Sequence, residues 1–71
     1  MKTSELLPHQ QRVVTERDEL EKKFKDLVTF ILENPIFVSL PDKEQEDLNL
    51  QQELMGKYID VLNSRIARFY E

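Results

Sequence analysis

The chain has no cysteine and no tryptophan, one histidine, one glycine and three prolines among its 71 residues. Without cysteine there is no disulfide and no thiolate metal site. A single histidine excludes a histidine-rich zinc centre. One glycine leaves no glycine-rich phosphate loop and no dinucleotide fingerprint. No apolar run approaches the length of a membrane span. The pair Leu6-Leu7, followed by Pro8, is too short for a secretory signal. A chain without cysteine fits a reducing compartment, and the expected location is cytoplasmic.

The charge balance narrows the partners. Lys and Arg together number 10 and Asp and Glu 14, for a net charge of −4. General nucleic-acid binding rests on neutralising many phosphates, so nucleic acid is not expected as a partner. A small anion held in a local basic pocket is still allowed. With 34% of residues charged and so little glycine and proline, the composition describes long helices rather than a sheet. Residues 1–71 form one small domain. A chain of this length buries little surface and needs an aid to stability. With disulfides and metals excluded, association with itself is the aid that remains.

Pro8 suits the first position of a helix, with Ser4 or Leu7 ahead of it. Helix 1 is predicted from about Pro8 to Glu33. Leu6, Val13, Leu20 and Leu27 recur every seven residues, and Phe24 and Ile31 fill the alternate seam. Gln10 and Arg17 continue that seam, which places Arg17 inside the apolar arc. Asn34-Pro35 ends the helix, because the residue before proline is pushed out of helical geometry. Asn34 can cap a new turn in which Ile36, Phe37 and Leu40 close a bend over residues 34–40.

Helix 2 is predicted from about Pro41 to Phe69. Asp42, Glu44, Glu46 and Asp47 lie near its positive N-terminal dipole. That acidic run lacks the central glycine and the alternating ligands of a calcium loop. The inner seam reads Leu48, Gln52, Met55, Ile59, Leu62, Ile66, Phe69, and a second stripe reads Leu50, Leu54, Tyr58, Val61 before reaching Arg65. Together they cover roughly 200° of the helix, more than one partner helix can bury. The stripe Leu50, Leu54, Tyr58 and Val61 is therefore the expected oligomer interface. Gly56, inside helix 2, is expected to permit close helix approach. The fold class is all-α: an antiparallel two-helix hairpin with a short helical turn at the bend, assembled as a homo-oligomeric bundle.

Catalytic chemistry finds little support. His9 alone could act as a histidine base, and it falls in the first helical turn. The Glu-x-x-His pairs of a di-iron bundle are absent. Glu16, Asp18, Glu19 and Glu21 are spaced around helix 1 as a solvated face with pairs such as Glu21 to Lys25. No catalytic residue, metal ligand or cofactor is assigned, and no enzyme is expected.

All four arginines lie near the chain ends: Arg12 and Arg17 early, Arg65 and Arg68 late. Folding as a hairpin would gather them at one pole. Arginine forks pair bidentately with phosphates and carboxylates, whereas lysine is a solvated point charge. The same pole carries His9, Gln10, Gln11, Tyr58, Phe69 and Tyr70, a mix that can stack on a base and bond its edge. The amides at the start of helix 1 add donors for an anion. The candidate ligand residues are thus His9, Gln10, Arg12, Arg17, Tyr58, Arg65, Arg68, Phe69 and Tyr70. A second reading stands beside this one. Arg65 and Arg68 offset the dipole at the end of helix 2, and Arg17 pairs with Glu16, or with Asp60 across the hairpin.

The segments His9-Gln10-Gln11-Arg12-Val13-Val14, Asn34-Pro35-Ile36-Phe37 and Ser39-Leu40-Pro41 resemble those of small phage-encoded helical hairpins. In size and architecture the chain is similar to phage sponge proteins, oligomeric hairpins that sequester nucleotide signals of bacterial immunity. The resemblance implies a non-enzymatic binder of a small phosphorylated ligand, such as a cyclic nucleotide or an ADP-ribose derivative. Its sites would lie between subunits, and it would act in the cytoplasm of an infected bacterium. The alternative is a homo-oligomeric protein-interaction module that presents the Leu50–Leu54–Val61 stripe to a host or phage protein.

Overall fold

A computed structural model describes residues 6–70, and every described element is helical. Ser4, one of the two residues expected ahead of helix 1, lies outside the described residues. Three helices follow in order: α1 over Pro8–Glu33, α2 over Ile36–Ser39 and α3 over Asp42–Arg68. The two long helices pack against each other. Val13 of α1 meets Leu62 and Ile66 of α3, and Phe24 meets Gly56. The start of α1 therefore faces the end of α3, as in an antiparallel hairpin. The molecule is a rod of 48 × 16 × 15 Å. Its radius of gyration is 15.6 Å, against about 11 Å for a compact domain of this length.

Local chemistry explains each helix boundary. Leu7 is the N-cap of α1 and has extended backbone, with Pro8 directly after it. Leucine has no side-chain acceptor, so only half of a capping box can form: the Gln10 Oε1 accepts the Leu7 N–H at 2.9 Å. The Gln11 amide adds a bond to the Leu6 carbonyl at 2.7 Å. At the bend, the Asn34 Oδ1 accepts the Ile36 N–H at 2.9 Å and so caps α2. Phe37 turns inward and meets Phe30 edge-to-face, with ring centroids 6.2 Å apart. Ile36, expected to help close the bend, points outward and is 57% exposed. Phe37 takes the inward direction of this turn, and Ile36, one residue or about 100° away around it, then faces solvent. Pro41 is the N-cap of α3, with Asp42 and Glu44 in the first turn.

The core is thin. Among the described residues Leu6, Val13, Phe37, Ile59, Leu62 and Ile66 are buried, and of these only Leu62 is sealed completely from water. Leu20, Val14 and Phe69 pack around the cluster of Val13, Leu62 and Ile66. The inner seam of α3 is buried or half-buried at each of its seven positions from Leu48 to Phe69. The second stripe is left open: Leu50, Leu54, Tyr58 and Val61 are 51%, 54%, 44% and 55% exposed.

Gly56 corrects an expectation. A methyl group built on it would sit 3.5 Å from the Phe24 ring, an ordinary contact distance. The glycine is therefore not needed to let the helices approach. Its missing side chain instead helps leave a groove open between α1 and α3.

Candidate ligand site at the arginine pole

The antiparallel packing brings the first turns of α1 to the same end of the rod as the last turns of α3. His9, Gln10, Arg12 and Arg17 thus share an end with Arg65, Arg68, Phe69 and Tyr70. Their surroundings differ, and they do not form one cluster.

Arg17 is held within the chain. Its Nη1 donates to the Asn63 Oδ1 at 2.7 Å, across the two helices. Its Nε donates to the Asp18 Oδ1 at 2.8 Å and lies 3.7 Å from the Glu21 carboxylate. The expected partners were Glu16 or Asp60, and neither is used. Arg17 interrupts an apolar seam, and Asn63 is the partner that makes this tolerable: the guanidinium is half-buried but satisfied.

Glu16, one residue earlier, looks the other way. It accepts a hydrogen bond from the Tyr58 hydroxyl of α3. That bond raises the Tyr58 pKa above its ordinary 10.0, and partial loss of water and the Glu16 charge act in the same direction. The positive charge of Arg65 opposes them, which puts Arg65 on the Tyr58 side. Tyr58 and Asn63 lie about 140° apart around α3 at 100° per residue. The two cross-helix bonds therefore flank the seam on opposite sides. Arg12 is about 140° from Arg17 around α1 and falls on the Glu16 side. The pole thus has two faces: Arg12, Glu16, Tyr58 and Arg65 on one, Arg17 and Asn63 on the other.

The remaining residues are placed as follows. Arg12, Arg65, Arg68 and His9 are exposed. The Arg68 Nη1 donates to the Ser64 Oγ at 3.1 Å, one turn back on its own helix. Tyr70 is 40% exposed. Gln10 caps α1 through its Oε1, which fixes the side chain at the start of the helix and leaves its amide N–H groups as donors. Phe69 packs on the core rather than standing as a stacking platform. The helix amides are also less available than expected: Pro8 has no N–H, and the N–H groups of Gln10 and Gln11 both bond the Leu7 carbonyl.

Two clefts lie away from the pole. The larger, about 530 Å³ and open to solvent, surrounds Gly56, with Phe24 and Ile59 among its lining residues. Its charged rim mixes Glu21, Glu53 and Asp60 with Lys25 and Lys57. The Lys57–Glu53 contact of 3.4 Å closes part of that rim on itself. A second cleft lies under the bend at Thr29, Phe30 and Asn34. The signal for the first was the lone helical glycine one seam away from Phe24. Among the described residues no group of three or more His, Asp or Glu side chains is placed to hold a metal ion. No helix among them is long and apolar enough to cross a membrane.

A family model described as Sequestin matches residues 7–68. The chain belongs to the Sequestin family. The match runs from the N-cap of α1 to the last residue of α3, so the Sequestin pattern is the hairpin itself. It covers Arg12, Arg17, Tyr58, Arg65 and Arg68 and stops before Phe69 and Tyr70. No curated protein and no solved structure matches the chain.

Proposed function

We propose that this Sequestin-family chain is a non-enzymatic phage protein that binds and sequesters a small phosphorylated, nucleotide-type signal of bacterial immunity. It acts as a homo-oligomer in the cytoplasm of the infected bacterium, with sites between subunits. The observation that carries this reading is the Sequestin match over the whole hairpin, a family whose name denotes sequestration.

The chemistry of the pole supports it on one face more than the other. Arg12 and Arg65 are exposed on an otherwise acidic protein and suit a phosphate. Tyr58 and Tyr70 offer aromatic surface for a base. Arg17, tied to Asn63, serves the hairpin first and the ligand second. The hydroxyl that meets a carboxylate on this face is that of Tyr58, on Glu16. Its raised pKa holds the phenolic proton rather than freeing it, so the ligand is expected to leave unaltered.

The test is a panel of cyclic dinucleotides, cyclic trinucleotides and ADP-ribose derivatives, read by native mass spectrometry and thermal shift. An adduct whose formation is weakened by Arg65→Ala supports the reading. Absence of any adduct or shift across the panel favours the second reading, a module that binds a host or phage protein. The observation behind that alternative is the exposed Leu50–Leu54–Val61 stripe.

A further inference from the structure

The open stripe of α3 carries charge at both of its ends. Asp47 precedes Leu50 on this face and Arg65 follows Val61. Asp47 and Arg65 are separated by about five full turns, so they share one azimuth with Leu54 between them. The whole rod is polarised in the same sense. Residues 26–47, at the bend end, hold six carboxylates against Lys43 alone, whereas at the opposite end residues 8–18 and 60–70 together hold four arginines against Glu16, Asp18 and Asp60.

We infer that this face pairs with the same face of a second copy, with the two α3 helices antiparallel. Leu54 then faces Tyr58, Leu50 faces Val61, and Asp47 faces Arg65, each pair occurring twice. The midpoints of all three pairs fall within about half a residue of Gly56, so a single two-fold axis satisfies them together. The parallel alternative places Asp47 on Asp47 and Arg65 on Arg65. Charge therefore selects the antiparallel arrangement.

Two details fit this face to contact. The Tyr58 hydroxyl is bonded to Glu16, which leaves the ring to present apolar surface. Arg68 falls opposite Lys43, a like-charge pair, but both side chains are turned onto their own helices: Lys43 onto Asp47 at 3.1 Å and Arg68 onto Ser64 at 3.1 Å. The arrangement bears on the proposed function by setting Arg65 at a seam between subunits, where a phosphate would replace the Asp47 carboxylate of the second copy as its partner. It rests on that reading only for the existence of a second copy.

The experiment is run without ligand, so its failure is separate from a failure to bind nucleotides. Sedimentation equilibrium gives the dimer constant of the wild type, Arg65→Asp, Asp47→Arg and the double variant, with circular dichroism to verify helicity. Each single reversal should weaken the dimer roughly tenfold or more, and the double variant should restore most of the loss. A single spin label at Glu46→Cys should report a distance of roughly 30 Å between copies, from the rise of 1.5 Å per residue. A label distance under about 20 Å, single reversals without effect, a double variant no better than the singles, or a wild type that stays monomeric at 100 μM (on the order of a weak complex) would each overturn the inference.

Discussion

Arg17 of α1 and Asn63 of α3 meet across the hairpin through a hydrogen bond of 2.7 Å. This contact changes what the arginines at this end of the rod can do. A guanidinium already bonded to Asn63 and Asp18 is part of the fold. Arg65, exposed on the Tyr58 side, makes no such contact between α1 and α3 of its own hairpin.

The two residues should therefore separate in mutagenesis. Arg17→Ala is expected to lower stability by about 1 kcal/mol, the usual net worth of one hydrogen bond. At a concentration below dimer formation, Arg65→Ala should leave the melting temperature of the ligand-free protein nearly unchanged. It should weaken a phosphorylated ligand by roughly 1.5–3 kcal/mol if it makes a charge-assisted bond. Paired thermal melts and titrations check both; an Arg65→Ala protein that melts lower yet binds equally well would reverse the assignment.

Gly56→Ala should stabilise the protein by roughly 1 kcal/mol. Alanine is the better helix former, and the new methyl group meets the Phe24 ring at 3.5 Å without a clash. Urea unfolding measures this directly. A lower midpoint would mean that the groove beside Gly56 cannot accept a side chain.

Among the described residues Leu62 is the one side chain fully shut off from water. Leu62→Ala should cost about 2–5 kcal/mol and leave so thin a core largely unfolded. Leu54→Ala, on the open face, should not lower the stability of the monomer comparably. Circular dichroism at a concentration below dimer formation compares the two, and equal losses would argue that Leu54 is buried within the hairpin.

Tyr58 gives a pH signature. Its folded pKa is raised by the bond to Glu16, above an unfolded value near 10. The folded state thus holds the phenolic proton more tightly. The resulting stabilisation is complete below the unfolded pKa and is lost as pH rises through the folded one. In a Tyr70→Phe background, tyrosinate absorbance should titrate above the ordinary value. Glu16→Gln should bring it down; an unchanged titration would mean that the Glu16–Tyr58 bond is not held in solution.

Much of the helical architecture was legible in the chain, because 3–4 spacing reports which side of a helix is apolar whatever it packs against. Leu48 through Phe69 form the inward seam, and the stripe from Leu50 to Val61 faces outward. What the sequence could not supply is the register between α1 and α3. A helical wheel placed Arg17 in the apolar arc but could not select Asn63 over Asp60 as its partner. The same gap hid the separation of Arg12 from Arg17 onto opposite sides of the seam. Phe69 and Gln10 were assigned to a ligand by composition, whereas packing occupies Phe69 and capping takes the Gln10 Oε1. Composition names the groups at a pole; only the three-dimensional contacts say which of them are already engaged.

Sequestration without chemistry can be read directly from the ligand that the protein releases. The protein is mixed with the nucleotide that gives an adduct, isolated, then denatured, and the released ligand is weighed by mass spectrometry. A protein that only sequesters should release a ligand of unchanged mass in stoichiometric yield, with less retained by Arg65→Ala. A hydrolysed or otherwise altered ligand accumulating beyond the protein concentration would show turnover and contradict sequestration without chemistry.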